Sequence, residues 1–248
     1  MRYIRAAVRF LLFLFSSFAI YFGWLVSSFF IPNKLYWRQV CFGFWARSFA
    51  RIASMKIEVI GPIPKPPFFL VTNHLSWVDI PLLRAVVDGV FVAKAEIRSW
   101  FLAGKIVDDM GQIFIDRSNR RDIPRAGEKI ISRLSDGEGV IVFPEGTATR
   151  GDDVYPFRSS FFQFAAESDV PVSYASITYR TPDDEPPASD TVCWWVDTGL
   201  ATHMFRLFMV KGFTAIVSFG SEPVLSTDRK ELAGELRERI RERFIPVL

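Results

Sequence analysis

The chain reads as an α/β domain on a mixed, largely parallel sheet flanked by helices, preceded by a membrane-associated helical hairpin. Three observations predict this architecture. Phe10 to Ile31, "FLLFLFSSFAIYFGWLVSSFFI", carries no charge. From Lys56 onward, short β-branched and aromatic runs alternate with helical stretches, the pattern of βα layering. Several of those runs end directly on polar, chemistry-bearing residues, and α/β folds place ligands at the carboxyl ends of strands. The division that follows is a hairpin over residues 1–55 and an α/β domain over residues 56–248.

Composition agrees with a membrane surface. Of 248 residues, 50% are hydrophobic and 25 are Phe, and the mean hydropathy is +0.19. A formal charge of only +3 gives no signature of nucleic-acid binding. A mildly basic chain rich in Phe and Trp suits an anionic lipid surface better. The two cysteines, Cys41 and Cys193, are far apart and fit neither a disulfide framework nor a zinc cluster.

The uncharged segment would be ~33 Å long as a helix at ~1.5 Å per residue, against a hydrocarbon core of ~30 Å. Arg2, Arg5 and Arg9 precede it and Pro32 follows it. A signal peptide would have a shorter apolar core and a small-residue cleavage site, so the segment reads as a retained membrane helix. Both flanks are basic, so charge bias does not orient it. Leu35 to Met55, "LYWRQVCFGFWARSFARIASM", is interrupted by arginines and is not a second ordinary span. Tyr36, Trp37, Phe44, Trp45 and Phe49 would form an interfacial face, or the helix packs on the domain.

In the domain, strands are expected at 56–60, 68–72, 90–94, 111–115, 139–143, 172–179, 191–196 and 215–219. Helices are expected at Asp79–Val87, Arg98–Met110, Ile123–Leu134, Ser159–Ser168 and Leu200–Val210. "GPIPKPP" is a stiff connector and "TPDDEPP" an exposed loop. Leu232, Leu236, Ile240 and Phe244 make a narrow apolar stripe on a charged C-terminal helix that packs at the domain edge.

Three stretches stand at strand exits. In "NHLSWVD", His74 precedes Asp79. A helix start with Ser76 as N-cap and Asp79 as third residue accounts for the aspartate. It does not account for His74, and a carboxylate on one ring nitrogen would leave the other free to take a proton. In "VIVFPEGTATRG", Glu145, Gly146 and Thr147 follow a buried strand, and the turn's amides would suit a phosphate or an oxyanion. In "GQIFIDRSNRRDIPR", a strand delivers Arg117, a residue type that grips phosphate bidentately, and Lys94 leaves another strand similarly. No G-x-S-x-G elbow supplies a protein nucleophile. The chemistry implied is direct attack of an activated substrate hydroxyl on the carbonyl of a second substrate.

These blocks resemble those of the glycerolipid acyltransferases, whose best-known members are the 1-acylglycerol-3-phosphate acyltransferases. "NHLSWVD" is similar to their N-H-x-x-x-x-D block, "GQIFIDR" to G-x-x-F-I-x-R, "FPEGT" to the third block and "VPV" (170–172) to the fourth. The resemblance implies the fold of that family, with His74 as base and Asp79 as its orienting partner. It implies that Arg117, assisted by Lys94, holds the acceptor phosphate, that Glu145 and Gly146 shape the acceptor site, and that Gly146 and Thr147 lie near phosphate or oxyanion. The donor would be acyl-CoA or an acylated acyl carrier protein, with no metal or bound cofactor. The acceptor would be a lysolipid, first 1-acylglycerol-3-phosphate, giving phosphatidic acid at the cytoplasmic face of the inner membrane. Three departures fall on the acceptor side: Ala148 where Arg usually follows Thr, Tyr174 where a second proline usually stands, and Ser159–Ser160 in place of a basic residue and Gly. They resemble a bacterial branch that acylates lyso-ornithine lipids and other lysolipids. A non-catalytic lipid-binding protein on the same fold is the competing class.

Overall fold

The computed structural model describes residues 1–116 and 122–247. Helix α1 (Arg2–Ser27) and helix α2 (Lys34–Ala53) form the hairpin. The Asn33 side chain caps α2 by accepting from the Tyr36 amide, and Ser54 ends it in a left-handed conformation. The strands follow as β1 (Met55–Ile60), β2 (Phe68–Thr72), β3 (Gly89–Lys94), β4 (Ile113–Ile115), β5 (Gly139–Val142), β6 (Val172–Arg180) and β7 (Phe213–Phe219). The domain helices are α3 (Asp79–Val86), α4 (Ala103–Asp109), α5 (Asp122–Ser135), α6 (Gln163–Glu167), α7 (Ala188–Thr191), α8 (Leu200–Met209) and α9 (Arg229–Arg243).

The seven strands form one sheet in the order β1-β7-β6-β2-β5-β3-β4. Among the described residues only β6 and β7 pair antiparallel; the other strand pairs are parallel. The central strands are buried on both faces. Phe69, Leu70, Val71, Val140 and Ile141 are fully inaccessible, as expected of parallel strands covered by helices on each side. One face packs α2 against α3 and α1 against α8; the other packs α5 on β4 and β5 and α9 on β6. On α9, Leu232, Leu236 and Ile240 are fully buried, so its predicted stripe is its docking face.

Three expected elements differ. The helix expected over Ser159–Ser168 opens as a 3-10 turn (Ser159–Phe162), and only Gln163–Glu167 is α-helical. Residues 191–196 form no strand: Thr191 ends α7 and 192–196 make the turn that follows it. The bulky β-type residues there are spent on tethers: the Trp194 amide donates to the Leu75 carbonyl at 2.8 Å, and the Trp195 indole N–H donates to the Ser189 carbonyl at 3.0 Å. The expected single helix over Arg98–Met110 is broken into a 3-10 turn (Ala95–Ser99) and α4, with Leu102 between them at φ 57°.

The hairpin is bolted to the domain. Arg5 donates to the Met209 carbonyl. Arg9 donates to the Val210 and Lys211 carbonyls at 2.6 and 3.0 Å and to Ser54 Oγ at 2.5 Å. These are the orphan carbonyls beyond α8, which arginines satisfy readily. Farther along α1, the Tyr21 hydroxyl donates to Asp109 Oδ2 at 2.5 Å. Between these ties, Phe13 sits among Trp45, Phe49 and Phe208. Phe49, expected on an interfacial face, is 1% exposed and packs edge-on to Trp77 of the domain. Tyr36 and Phe44 do face outward. Helix α2 is thus domain core on one side and exposed aromatic surface on the other.

Candidate active site

Strands β2 and β5 are parallel neighbours, with Val71 level with Val142. "NHLSWVD" and "FPEGT" therefore leave the same sheet edge side by side. Asn73 continues the sheet with its side chain: its Nδ2 donates to the Ile177 carbonyl at 3.0 Å and its Oδ1 accepts from the Ile177 amide at 2.7 Å. This peptide-like pairing with β6 fixes where the next residue starts.

That residue is His74. Its Nδ1 lies 2.7 Å from Asp79 Oδ2, so the imidazole carries its proton on Nδ1 toward the carboxylate. The ring stacks on Phe143 at 4.2 Å between centroids. The side chain is 21% exposed, whereas that of Asp79 is inaccessible. With Nδ1 engaged, Nε2 remains for an incoming group. Asp79 Oδ2 also accepts from the Leu75 and Ser76 amides at 2.7 and 3.0 Å. The Ser76 contact is the back-reach of a capping-box acid, although the helix proper begins at Asp79 and Ser76 Oγ itself makes no cap. Helix start and histidine partner are therefore one carboxylate.

The third block holds the histidine backbone from both sides. Glu145, 5% exposed, accepts from the His74 amide at 2.8 Å through Oε2 and from the Tyr155 amide at 2.8 Å through Oε1. The Thr149 amide donates to the His74 carbonyl at 2.9 Å. Burial pushes the Glu145 carboxyl up to about 8, against the pull of its two amide donors, and the nearby Asp79 charge adds to the rise. Gly146 takes φ +82°, and a Cβ there would come within 2.8 Å of Arg158 Nε. A side chain at 146 would thus be strained in its backbone, and the Arg158 guanidinium would have to move aside for it. Thr147 is exposed on the same turn.

Lys94 is exposed at the end of β3, two strands from β2 and hence ~10 Å across the edge at ~4.8 Å per strand. Arg117 lies outside the described residues. His74, Asp79, Glu145, Gly146 and Thr147 are brought together, with Lys94 on the same edge.

Two participants are not visible in the motifs. Tyr179, fully buried on β6, donates its hydroxyl to Asp79 Oδ1 at 2.6 Å. Burial, then the Asp79 charge, raise its pKa well above the ordinary value, so it stays a donor. Arg158 is exposed over Gly146, makes no ion pair among the described residues, and its amide donates to the Pro144 carbonyl at 3.0 Å. The "PFR" sequence after the turn was the available signal for it. The second histidine is spent structurally. His203 accepts from the Trp77 indole at Nδ1 and donates from Nε2 to the Cys193 carbonyl, both at 3.0 Å. Burial lowers its pKa.

An oriented imidazole with one open nitrogen, at the carboxyl edge of an α/β sheet and beside a glycine turn, has the chemistry to accept a proton from a bound hydroxyl. The family model described as Acyltransferase matches residues 55–177, which span His74, Asp79, Glu145, Gly146, Thr147 and Arg158 and stop just short of Tyr179. The chain belongs to the acyltransferase family. It is 32% identical over 208 residues to a lyso-ornithine lipid O-acyltransferase of Pseudomonas aeruginosa, covering 82% of this chain and 78% of that one. It is also 32% identical over 189 residues to a 1-acyl-sn-glycerol-3-phosphate acyltransferase of Neisseria gonorrhoeae, covering 75% and 73%. Its fold matches the crystal structure of the 1-acyl-sn-glycerophosphate acyltransferase of Thermotoga maritima with a TM-score of 0.72, at 23% identity, over 98% of this chain and 95% of that one.

Proposed function

We propose that this acyltransferase moves a fatty acyl group from a thioester of coenzyme A or acyl carrier protein to the free hydroxyl of a lysolipid. What carries the reading is the His74–Asp79 pair at 2.7 Å with the other imidazole nitrogen left open. His74 Nε2 takes the hydroxyl proton as the lysolipid oxygen attacks the thioester carbonyl. The C–O bond forms, the tetrahedral intermediate collapses, the C–S bond breaks, and the imidazolium returns its proton to the departing thiolate. Asp79 stabilises the imidazolium, and the glycine turn at Gly146 and Thr147 faces the developing oxyanion or the acceptor phosphate.

The acceptor's head group carries an anionic oxygen group, a phosphate or a carboxylate, taken by Arg117 and Lys94. Arg158 over Gly146 adds a third cation. The first candidate is 1-acylglycerol-3-phosphate, giving phosphatidic acid. A second is lyso-ornithine lipid, favoured by the length of the match to the Pseudomonas protein and by Ala148, Tyr174 and Ser159–Ser160 in place of the usual acceptor-side residues.

The hairpin of residues 1–55 anchors the α/β domain of residues 56–248 to the cytoplasmic face of the inner membrane. Because α1 is tied to the domain at Arg5, Arg9 and Tyr21, it lies in one leaflet rather than crossing both. This departs from the spanning helix that its length allows.

A panel of lysolipid acceptors, each offered with acyl-CoA and acyl carrier protein donors, tests the reading. Transfer to at least one lysolipid hydroxyl is expected. Tight lysolipid binding with no turnover on any donor would instead identify a lipid-binding protein on this fold.

A further inference from the structure

Between the end of β3 and α4 the chain forms a knuckle tipped by Trp100, Phe101 and Leu102. Phe101 is 90% and Leu102 67% exposed. Three large apolar side chains in succession at the tip of a loop are unusual for a surface that faces water. Nor is the exposure that of a slack segment. The Trp100 amide donates to the Ile97 carbonyl at 3.1 Å, the Gly104 amide to the Trp100 carbonyl at 2.8 Å, and the Ile106 amide to the Leu102 carbonyl at 3.1 Å. The Ala103 amide reaches the Phe101 carbonyl at 2.6 Å, which closes a three-residue turn around Leu102 at φ 57°, ψ −46°. This is the positive-φ γ-turn, a rare and strained conformation. Gly104 allows the knuckle to close: a Cβ there would collide with the Arg98 carbonyl oxygen. The fold thus holds a leucine in a disfavoured backbone region, and the result is two apolar side chains pointing away from the protein. Strain of this kind marks a presented functional feature.

The position of the knuckle names its partner. Asp109, at the far end of α4, accepts from Tyr21 of α1, so the tip stands one short helix, ~10 Å at ~1.5 Å per residue, from the apolar helix. Beside that tie, α1 exposes Phe18, Phe22, Leu25 and Val26. The other end of the knuckle is Lys94, on the sheet edge that carries His74. We infer that the Trp100–Phe101–Leu102 knuckle is a second lipid-inserting point, which with α1 seats the mouth of the site on a bilayer surface. The charges about it balance, with Arg98 paired to Asp108 and Lys105 to Asp109. Its insertion is therefore driven by apolar burial and insensitive to salt.

The inference rests on the reading of α1 as membrane-embedded, and the experiment separates the two. An environment-sensitive fluorophore is attached at Phe101→Cys or at Phe18→Cys in the full chain, reconstituted into phosphatidylethanolamine–phosphatidylglycerol vesicles. Cys41 and Cys193 are buried and stay unlabelled in the folded protein. Emission that shifts to the blue and is quenched by brominated acyl chains at both positions, unchanged in high salt, is the expected result. Quenching at 18 with a water-exposed probe at 101 overturns the knuckle alone. A water-exposed probe at 18 overturns the membrane reading of α1, and the inference with it. In parallel, a Phe101→Ser/Leu102→Ser variant is expected to lose turnover several-fold on vesicle-embedded lysolipid while keeping its rate on a short-chain, water-soluble one. Equal loss on both substrates would mean a structural defect and would overturn the inserting role.

Discussion

The Asp79 carboxylate accepts from His74 Nδ1, two backbone amides and the Tyr179 hydroxyl, so its two oxygens have no freedom to turn. Tyr179 acts on the site only through it. Losing a hydrogen bond to a buried charge costs about 1.5–3 kcal/mol, and without that donor the carboxylate is free to turn away from the imidazole. Tyr179→Phe is expected to lower kcat on the order of 10-fold with little change in KM. An unchanged kcat would reduce Tyr179 to a packing role. Glu145 gives a separate signature. Its pKa is raised from 4.5 to about 8 in the folded protein, so the native state holds a proton that the unfolded chain releases. That stabilisation is complete below about 4.5 and is lost as pH rises to about 8. Thermal midpoints should fall across that interval, and Glu145→Gln should flatten the slope. At this scale the sequence showed His74, Asp79, Glu145 and Gly146 because local spacing carries them. It did not show Tyr179, which lies 100 positions from Asp79, and no local pattern reports a contact of that range. Nor did it show that Glu145 pins the His74 amide, which depends on β2 and β5 being neighbours.

Among the elements, most strands were legible because they are short, β-branched runs between turn residues. The run at 191–196 has the same composition yet forms a turn, since its tryptophan N–H groups and the Trp194 amide go to loop and helix carbonyls rather than to a ladder. The helical spacing of 98–110 concealed the γ-turn at Leu102. The seam between α2 and the sheet was equally hidden. Glu138, ahead of β5 with an inaccessible side chain, receives Arg38, Gln39 and Arg133, while the buried Arg84 of α3 reaches the Gln39 carbonyl. Removing one member of a buried charged cluster leaves its partners uncompensated, at a cost of about 3–5 kcal/mol. Glu138→Ala should therefore lower stability by about 3 kcal/mol or more in denaturant titration, and should loosen the hairpin first, read as earlier proteolysis within α2. Proteolysis unchanged from the parent would contradict that role.

For the molecule as a whole, the length of the apolar segment allows a spanning helix, and the proposed one-leaflet placement rests instead on tertiary contact. Arginines near one end of α1 and Tyr21 farther along both bond to the domain, which a helix leaving for the opposite leaflet would not do. Tags appended to the two chain ends should both react with an impermeant reagent from the cytoplasmic side of inverted membrane vesicles. Protection of the N-terminal tag alone would restore the spanning helix. In the proposed reading the hairpin, the sheet edge and the two strand exits converge on one event at a lipid surface, proton transfer through His74 during acyl transfer. Acyl transfer from a radiolabelled thioester to vesicle-borne lysolipid by reconstituted His74→Ala protein decides it. A loss on the order of 100-fold to 10,000-fold, with membrane binding and thermal midpoint unchanged, is the predicted result. Full activity in that variant would contradict His74 as the base.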